Sequence, residues 1–236
     1  MGYFGNDAEA EHVMYALDDI GIETVKCKQL EGENGCARAT LVDGDRVFLG
    51  SNEGGIRGKT PYVLDRFDLE YIRQFDFVHS GNYCFMEKEL PKIREAGVPI
   101  SFDFSDDSED SYYAEVAPTV DYAFCSFDGT DEEAREHLKK IVSYGPSLLL
   151  HPEVQMAVFY MMDRNIMCRS GTDQGVVDTM GAGDSLITSF MVAYTDHLKK
   201  GITGETAIRE SLAAAAEFAS KVCGMNGAFG YGKKYE

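Results

Sequence analysis

Apolar positions along the chain alternate between helical and strand-like spacing, and that alternation predicts an α/β architecture. Residues 7–20 place Ala10, Val13, Met14, Leu17 and Ile20 at helical intervals, with Gly21 as the stop. Two short strands follow, over 36–42 and 46–51. Asp43-Gly44 joins them, the pair that a type I′ hairpin prefers. Four further strands are predicted at 76–79, 100–104, 122–126 and 147–150. Helices are predicted between them at 69–74, 86–96, 112–116 and 132–143, and two more close the chain at 183–199 and 203–224. Strands separated by helices build βαβ units, so the expected fold is a doubly wound, mainly parallel sheet. The hairpin, about 34–56, breaks this rhythm and is expected to form a small β-lid. One domain over 1–236 is expected.

Composition narrows the class. The chain has 236 residues, 44% hydrophobic and 26% charged, enough to bury a sizeable core. No apolar run approaches the ~20 residues of a membrane span, and no basic, apolar signal layout opens the chain. A net charge of −18 argues against binding nucleic-acid backbones or anionic membranes. It does not exclude ATP, which needs only local positive potential. The six cysteines (27, 36, 84, 125, 168 and 223) include no CxxC pair, which predicts buried thiols in a reducing, cytoplasmic setting. The five histidines lack zinc-ligand spacing.

The chemistry concentrates at Gly181-Ala182-Gly183-Asp184, where a loop enters a helix with the apolar stripe Leu186, Ile187, Phe190, Met191 and Tyr194. Small residues let the backbone approach an anion, and the free N–H groups of a helix start point at it. A carboxylate in that first turn can accept the proton of an attacking hydroxyl. The same turn also suits an ordinary helix start with an acidic residue favouring the dipole, so spacing alone admits both readings.

The longer run from Val177 to Ser185, with Asp178-Thr179-Met180-Gly181-Ala182-Gly183-Asp184 at its centre, resembles the DTxGAGD signature of the ribokinase-like (PfkB) carbohydrate kinases. The resemblance implies Asp184 as catalytic base, and Gly181, Ala182 and Gly183 as an anion hole, with Thr179 lining the phosphate site. It also implies ATP and Mg²⁺ as cofactors, Asp103 near the metal, and Gly227 and Ala228 near adenine. The segments 76–80, 101–106 and 121–126 and the lid run 45–48 resemble the fructoselysine 6-kinase branch. There Ser105 and Ser126 stand where the broader family carries asparagines. The implied activity is phosphoryl transfer from ATP to the 6-hydroxyl of fructoselysine or a related fructosamine. The alternatives are a kinase for another sugar such as fructose, or an impaired remnant that only binds nucleotide or phosphate. A homodimer through the lid is implied, as in many relatives.

Two departures accompany the resemblance. The family's opening strand and its GGxxxN sugar-gripping segment do not occur, so an N-terminally truncated chain is expected. Between 150 and 170 the family has a strand, a Gly-x-x-Gly loop and a tight hairpin. Here the chain carries four of its ten methionines instead (Met156, Met161, Met162 and Met167). Starting each codon one base earlier forces Asp-Gly across Met162-Asp163 and a glycine across Met156-Ala157, and permits a Gly-x-x-Gly ending on that glycine. The stretch is therefore expected to be read out of frame between two compensating shifts, with an ordinary divergent insertion as the alternative. A transcript whose alternative frame lacks Gly-x-x-Gly refutes this.

Overall fold

The computed structural model describes all residues except 43–44, 106–108, 128, 153–156, 163–164, 171–175 and 234–236, and only the backbone at the rest of 41–46 and 150–170 and at 131. The chain divides into two compact units, Met1–Thr40 with Val47–Asp103, and Leu41–Arg46 with Phe104–Glu236.

The first unit opens with β1 (Gly2–Phe4), α1 (Ala8–Asp19) and β2 (Cys27–Gln29), and β1 pairs parallel with β2. Asp7 caps α1 by accepting from the Ala10 amide at 2.9 Å, and its other oxygen accepts from the Asn34 amide at 2.8 Å. Of the stripe read for α1, only Ala10 is fully buried; Val13 and Ile20 are exposed. The lid strands β3 (Ala37–Val42) and β4 (Asp45–Ser51) form a separate two-stranded sheet. Their Asp43-Gly44 turn lies outside the described residues. After α2 (Gly55–Lys59) comes α3 (Arg66–Ile72), where Asp65 and Asp68 form a reciprocal capping box. Next are β5 (Val78–Gly81), α4 (Leu90–Glu95) and β6 (Ile100–Asp103), and β5 pairs parallel with β6 from Val78↔Ile100 to Gly81↔Asp103. The helix read over 86–96 is thus shorter in the structure. A tight turn of 3₁₀ helix at Glu87–Glu89 precedes it, because Pro91 fits only the first turn of an α-helix.

The second unit contains α5 (Asp110–Val116), β7 (Tyr122–Phe124), α6 (Asp131–Ser143), β8 (Leu148–Pro152), β9 (Ala157–Met162), β10 (Asn165–Ser170), α7 (Ala182–Lys199) and α8 (Gly204–Cys223). Strand β7 pairs parallel with β8, while β8, β9 and β10 are antiparallel neighbours. Met162 pairs with Asn165, so the stretch with the displaced pattern still forms a backbone hairpin. Thr130 and Glu133 cap α6 reciprocally.

All five apolar positions read for the last-but-one helix are buried, and Phe190 is fully so. Its ring lies 6.3 Å from Phe124, edge-on, and stacks on Tyr194 at 5.4 Å. Helix α8 packs on α7, burying Ala207, Ile208, Ser211, Leu212, Ala215, Ala219 and Val222. Those positions form the i, i+3, i+4 stripe, and the small residues let the helices approach closely. Phe218 lies off that stripe and is exposed. The thiols also differ from expectation. None of the five described cysteines is in a disulfide, yet only Cys125 is buried, and Cys84 is exposed on a turn after β5. Cys168 lies among the residues described by backbone alone.

Candidate active site

The glycine-rich turn stands where the sequence places it. Gly181 is the N-cap of α7 with φ +76° and ψ 4°, a left-handed conformation that suits glycine. No side chain caps the helix. The Ala182 amide donates to the Thr179 carbonyl at 3.1 Å, and the Ser185 amide to the Gly181 carbonyl at 2.9 Å. Between them, the Gly183 and Asp184 amides have no acceptor among the described residues. The space a Cβ on Gly183 would occupy is open for 4 Å. Gly183 and Asp184 are both exposed, whereas Ser185, next in sequence, is fully buried. Two free N–H donors, the positive end of an 18-residue helix and an accessible carboxylate therefore share one turn. That is a place for an anion with a proton acceptor beside it.

The loop before this turn is anchored from below. The Val177 and Asp178 amides donate to the Cys223 carbonyl, at 2.8 and 3.1 Å, where α8 ends. Asp178 is 1% exposed, and its carboxylate accepts from the Met180 amide at 3.0 Å and the Gly227 amide at 2.8 Å. Burial, and next the Asp178 carboxylate, push the nearby Cys223 thiol pKa up. Gly227 is buried with φ +71°, and a Cβ on Gly181 would meet the Ala228 Cβ at 3.1 Å. The structure thus brings Thr179, Gly181, Ala182, Gly183 and Asp184 together and sets Gly227 and Ala228 against the same turn. Sequence reading missed Asp178 as a partner of both segments. The signal was present: a short acidic side chain in a loop that hydrogen-bonds backbone two residues ahead, an Asx turn.

Asp103 lies elsewhere in the chain's organisation, half-buried at the end of β6 in the first unit. Asp106 and Asp107, its neighbours in the acidic run, are outside the described residues. Among the described residues, no group of three or more His, Cys, Asp or Glu side chains is placed to hold a metal ion. Ser105 adopts φ +56°, a left-handed conformation in which asparagine is favoured over most residues, and its carbonyl accepts from the Ser126 amide at 2.9 Å. In the first unit a polar cleft of about 400 Å³ is lined by Asp7, Glu33, Asn34, Arg38, Ser51 and Asn52 among others. It mixes donors and acceptors, as a hydroxyl-rich ligand requires.

Comparison with known proteins agrees with the motif. The profile described as pfkB family carbohydrate kinase matches residues 1–229. The chain is 35% identical over 237 residues to the fructosamine kinase FrlD of Bacillus subtilis (strain 168), covering 100% of this chain and 80% of that protein. It is 27% identical over 215 residues to the fructoselysine 6-kinase of Escherichia coli (strain K12), covering 91% and 80%. Its backbone superposes on Arabidopsis thaliana ribokinase complexed with ribose and ATP with a TM-score of 0.80 at 22% identity, covering 98% of this chain and 77% of that one. The fold is accordingly ribokinase-like, and the chain belongs to the pfkB family of carbohydrate kinases.

Proposed function

We propose that the chain moves the γ-phosphoryl group of ATP to the 6-hydroxyl of fructoselysine or a related fructosamine. The observation that carries this reading is the uncapped start of α7, where Asp184 stands beside two amides without acceptors among the described residues. The two curated relatives, named as a fructosamine kinase and a fructoselysine 6-kinase, support the acceptor class.

In this reading Asp184 takes the proton of the sugar hydroxyl as its oxygen attacks the γ-phosphorus, and the bond to the bridging oxygen breaks to release ADP. The transferred group carries its charge on equatorial oxygens, which the amides of Gly183 and Asp184 face as donors. Gly181 and Ala182 shape the turn, Thr179 lines it, and Gly227 and Ala228 contact the nucleotide. A Mg²⁺ ion would neutralise phosphate charge with Asp103 as a protein contributor. The enzyme would act in the cytoplasm as one ribokinase-like domain. The consecutive exposed residues Val47, Phe48 and Leu49 on β4 give the lid an apolar surface suited to a second copy.

A coupled ADP-release assay with fructoselysine, fructose and ribose tests the reading. The expected result is a kcat/KM for fructoselysine at least about tenfold above the other two, a difference of about 1.4 kcal/mol. Preference for fructose or ribose would reassign the substrate. Absence of turnover with all three, with MgADP still bound, would mark the chain as a binding remnant.

A further inference from the structure

We infer that the polar cleft of the first unit takes the amino-acid end of the substrate, with Arg38 receiving its carboxylate and Glu33 its ammonium. The inference rests on the fructosamine reading above and deepens it, because that reading leaves open what separates a fructosamine from a plain sugar.

The cleft, about 400 Å³, is lined wholly by residues of the first unit. That volume lies in the range of small-molecule sites. Its half-buried asparagines are already engaged. Asn34 Oδ1 accepts from the Gly5 amide at 3.1 Å, and Asn34 Nδ2 donates to the Gly35 carbonyl at 3.2 Å. Asn52 Oδ1 accepts from the Cys36 amide at 2.8 Å, and Asn52 Nδ2 donates to the Asn34 carbonyl at 2.7 Å. The Asp7 carboxylate is engaged as well, by the Ala10 and Asn34 amides. These bonds fix the frame of the cleft. Hydrogen-bonding capacity would suit any polyol, so charge is what sets this cleft apart.

Three carboxylates, those of Asp7, Glu9 and Glu33, line it together with one guanidinium, that of Arg38. Glu33 is exposed, and its carboxylate has no hydrogen bond or ion pair among the described residues. Its backbone is nevertheless held, because the Glu33 carbonyl accepts from the Ile56 amide at 2.7 Å. Arg38 is exposed on β3, two residues after Cys36, whose amide Asn52 holds. Charged groups presented from anchored backbone give up less freedom on binding than groups on a loose loop.

Fructoselysine joins the side-chain nitrogen of lysine to C1 of the sugar. At neutral pH it carries an α-carboxylate, an α-ammonium and a protonated linking amine, so it is a net cation. A cleft with three negative groups and one positive group complements that pattern, whereas fructose and ribose offer it no charge. The planar guanidinium presents paired N–H donors to a carboxylate, and Glu33 accepts from an ammonium.

Calorimetric titration of the full chain, with and without MgADP, tests this with three ligands. These are fructoselysine, its decarboxylated counterpart fructosylcadaverine, and fructosyl 6-aminohexanoate, which lacks the α-ammonium. The wild type should bind fructoselysine at least about fivefold more tightly than either of the others, and equal binding overturns the subsite. Arg38→Gln should shrink the preference over fructosylcadaverine by at least about fivefold. Glu33→Gln should do the same to the preference over fructosyl 6-aminohexanoate. A smaller change in either ratio overturns the assignment of that residue. Dividing one ligand's Kd by the other's cancels any general loss of folded protein, so a merely structural role would leave both ratios where they are. The wild-type comparison decides the subsite even if a variant does not fold.

Binding is read without turnover, which keeps the two readings apart. A wild type that shows these ratios but transfers no phosphate overturns the kinase reading and leaves the subsite standing. Turnover of fructoselysine with ratios untouched by both substitutions overturns the subsite and leaves the kinase reading standing.

Discussion

Asp184→Asn is expected to lower kcat for phosphoryl transfer by about 10³-fold while leaving the fold intact, since a positioned general base contributes about 10² to 10⁴-fold. The two halves of that expectation come from different observations. Asp184 is exposed, and the described hydrogen bonds give it no structural partner. Its contribution to stability is the favourable interaction of a first-turn carboxylate with the helix dipole, about 0.3–1 kcal/mol. For a chain of this size that amounts to a drop of about 1–4 °C in Tm. Asparagine keeps the shape and can still accept a hydrogen bond, but it cannot take the proton. Steady-state kinetics beside a thermal unfolding scan checks both halves. An asparagine variant with wild-type kcat removes the base assignment.

The second large effect carries opposite signs in stability and activity. Gly183 lies in the first turn of α7 in ordinary helical backbone, with open space where its Cβ would project. Gly183→Ala should therefore stabilise the protein, by about 0.5–1 kcal/mol or about 1–4 °C in Tm. The added methyl would stand where the transferred phosphoryl group needs to approach the amides, and kcat should fall by about 10²-fold, as when an oxyanion-hole donor is lost. Gly181→Ala should differ, because its φ of +76° and the 3.1 Å contact with Ala228 cost stability as well. Parallel melting curves and transfer rates for the two variants distinguish them. A Gly183→Ala enzyme at full speed would show that the anion does not sit on this turn.

Much of this site was legible in the sequence because its parts are local. The buried stripe from Leu186 to Tyr194 follows the 3.6-residue period, and the motif marks the loop-to-helix junction within one residue of the observed start. The lid strands at 37–42 and 45–51 and the strands at 100–103 and 122–124 were equally plain from alternation and bounding turns. What the sequence concealed depends on partners distant along the chain. Strands β1 and β2 have three residues each, too short to show a period, and only their mutual pairing defines them. Helix α3 begins three residues before the reading, because Asp65 and Asp68 cap each other's backbone with carboxylates where the familiar signature has serine or threonine with glutamate. The bond from Asp178 to Gly227 spans 49 residues and leaves no periodic trace.

The stretch from 150 to 170 taught a different lesson. Its methionine-rich sequence gives no strand period, yet the backbone pairs β9 with β10 from Asn165↔Met162 to Ser170↔Ala157. A hairpin can be held by pairing with a neighbouring strand, here β8 against β9, when its own residues signal it poorly.

Incubating the chain with MgATP and fructoselysine and identifying the product by phosphorus and proton NMR tests the central assignment most directly. A fructosamine kinase must yield ADP and fructoselysine phosphorylated at O6 in equal amounts. ATP left intact, or hydrolysed with no phosphorylated sugar, would contradict it.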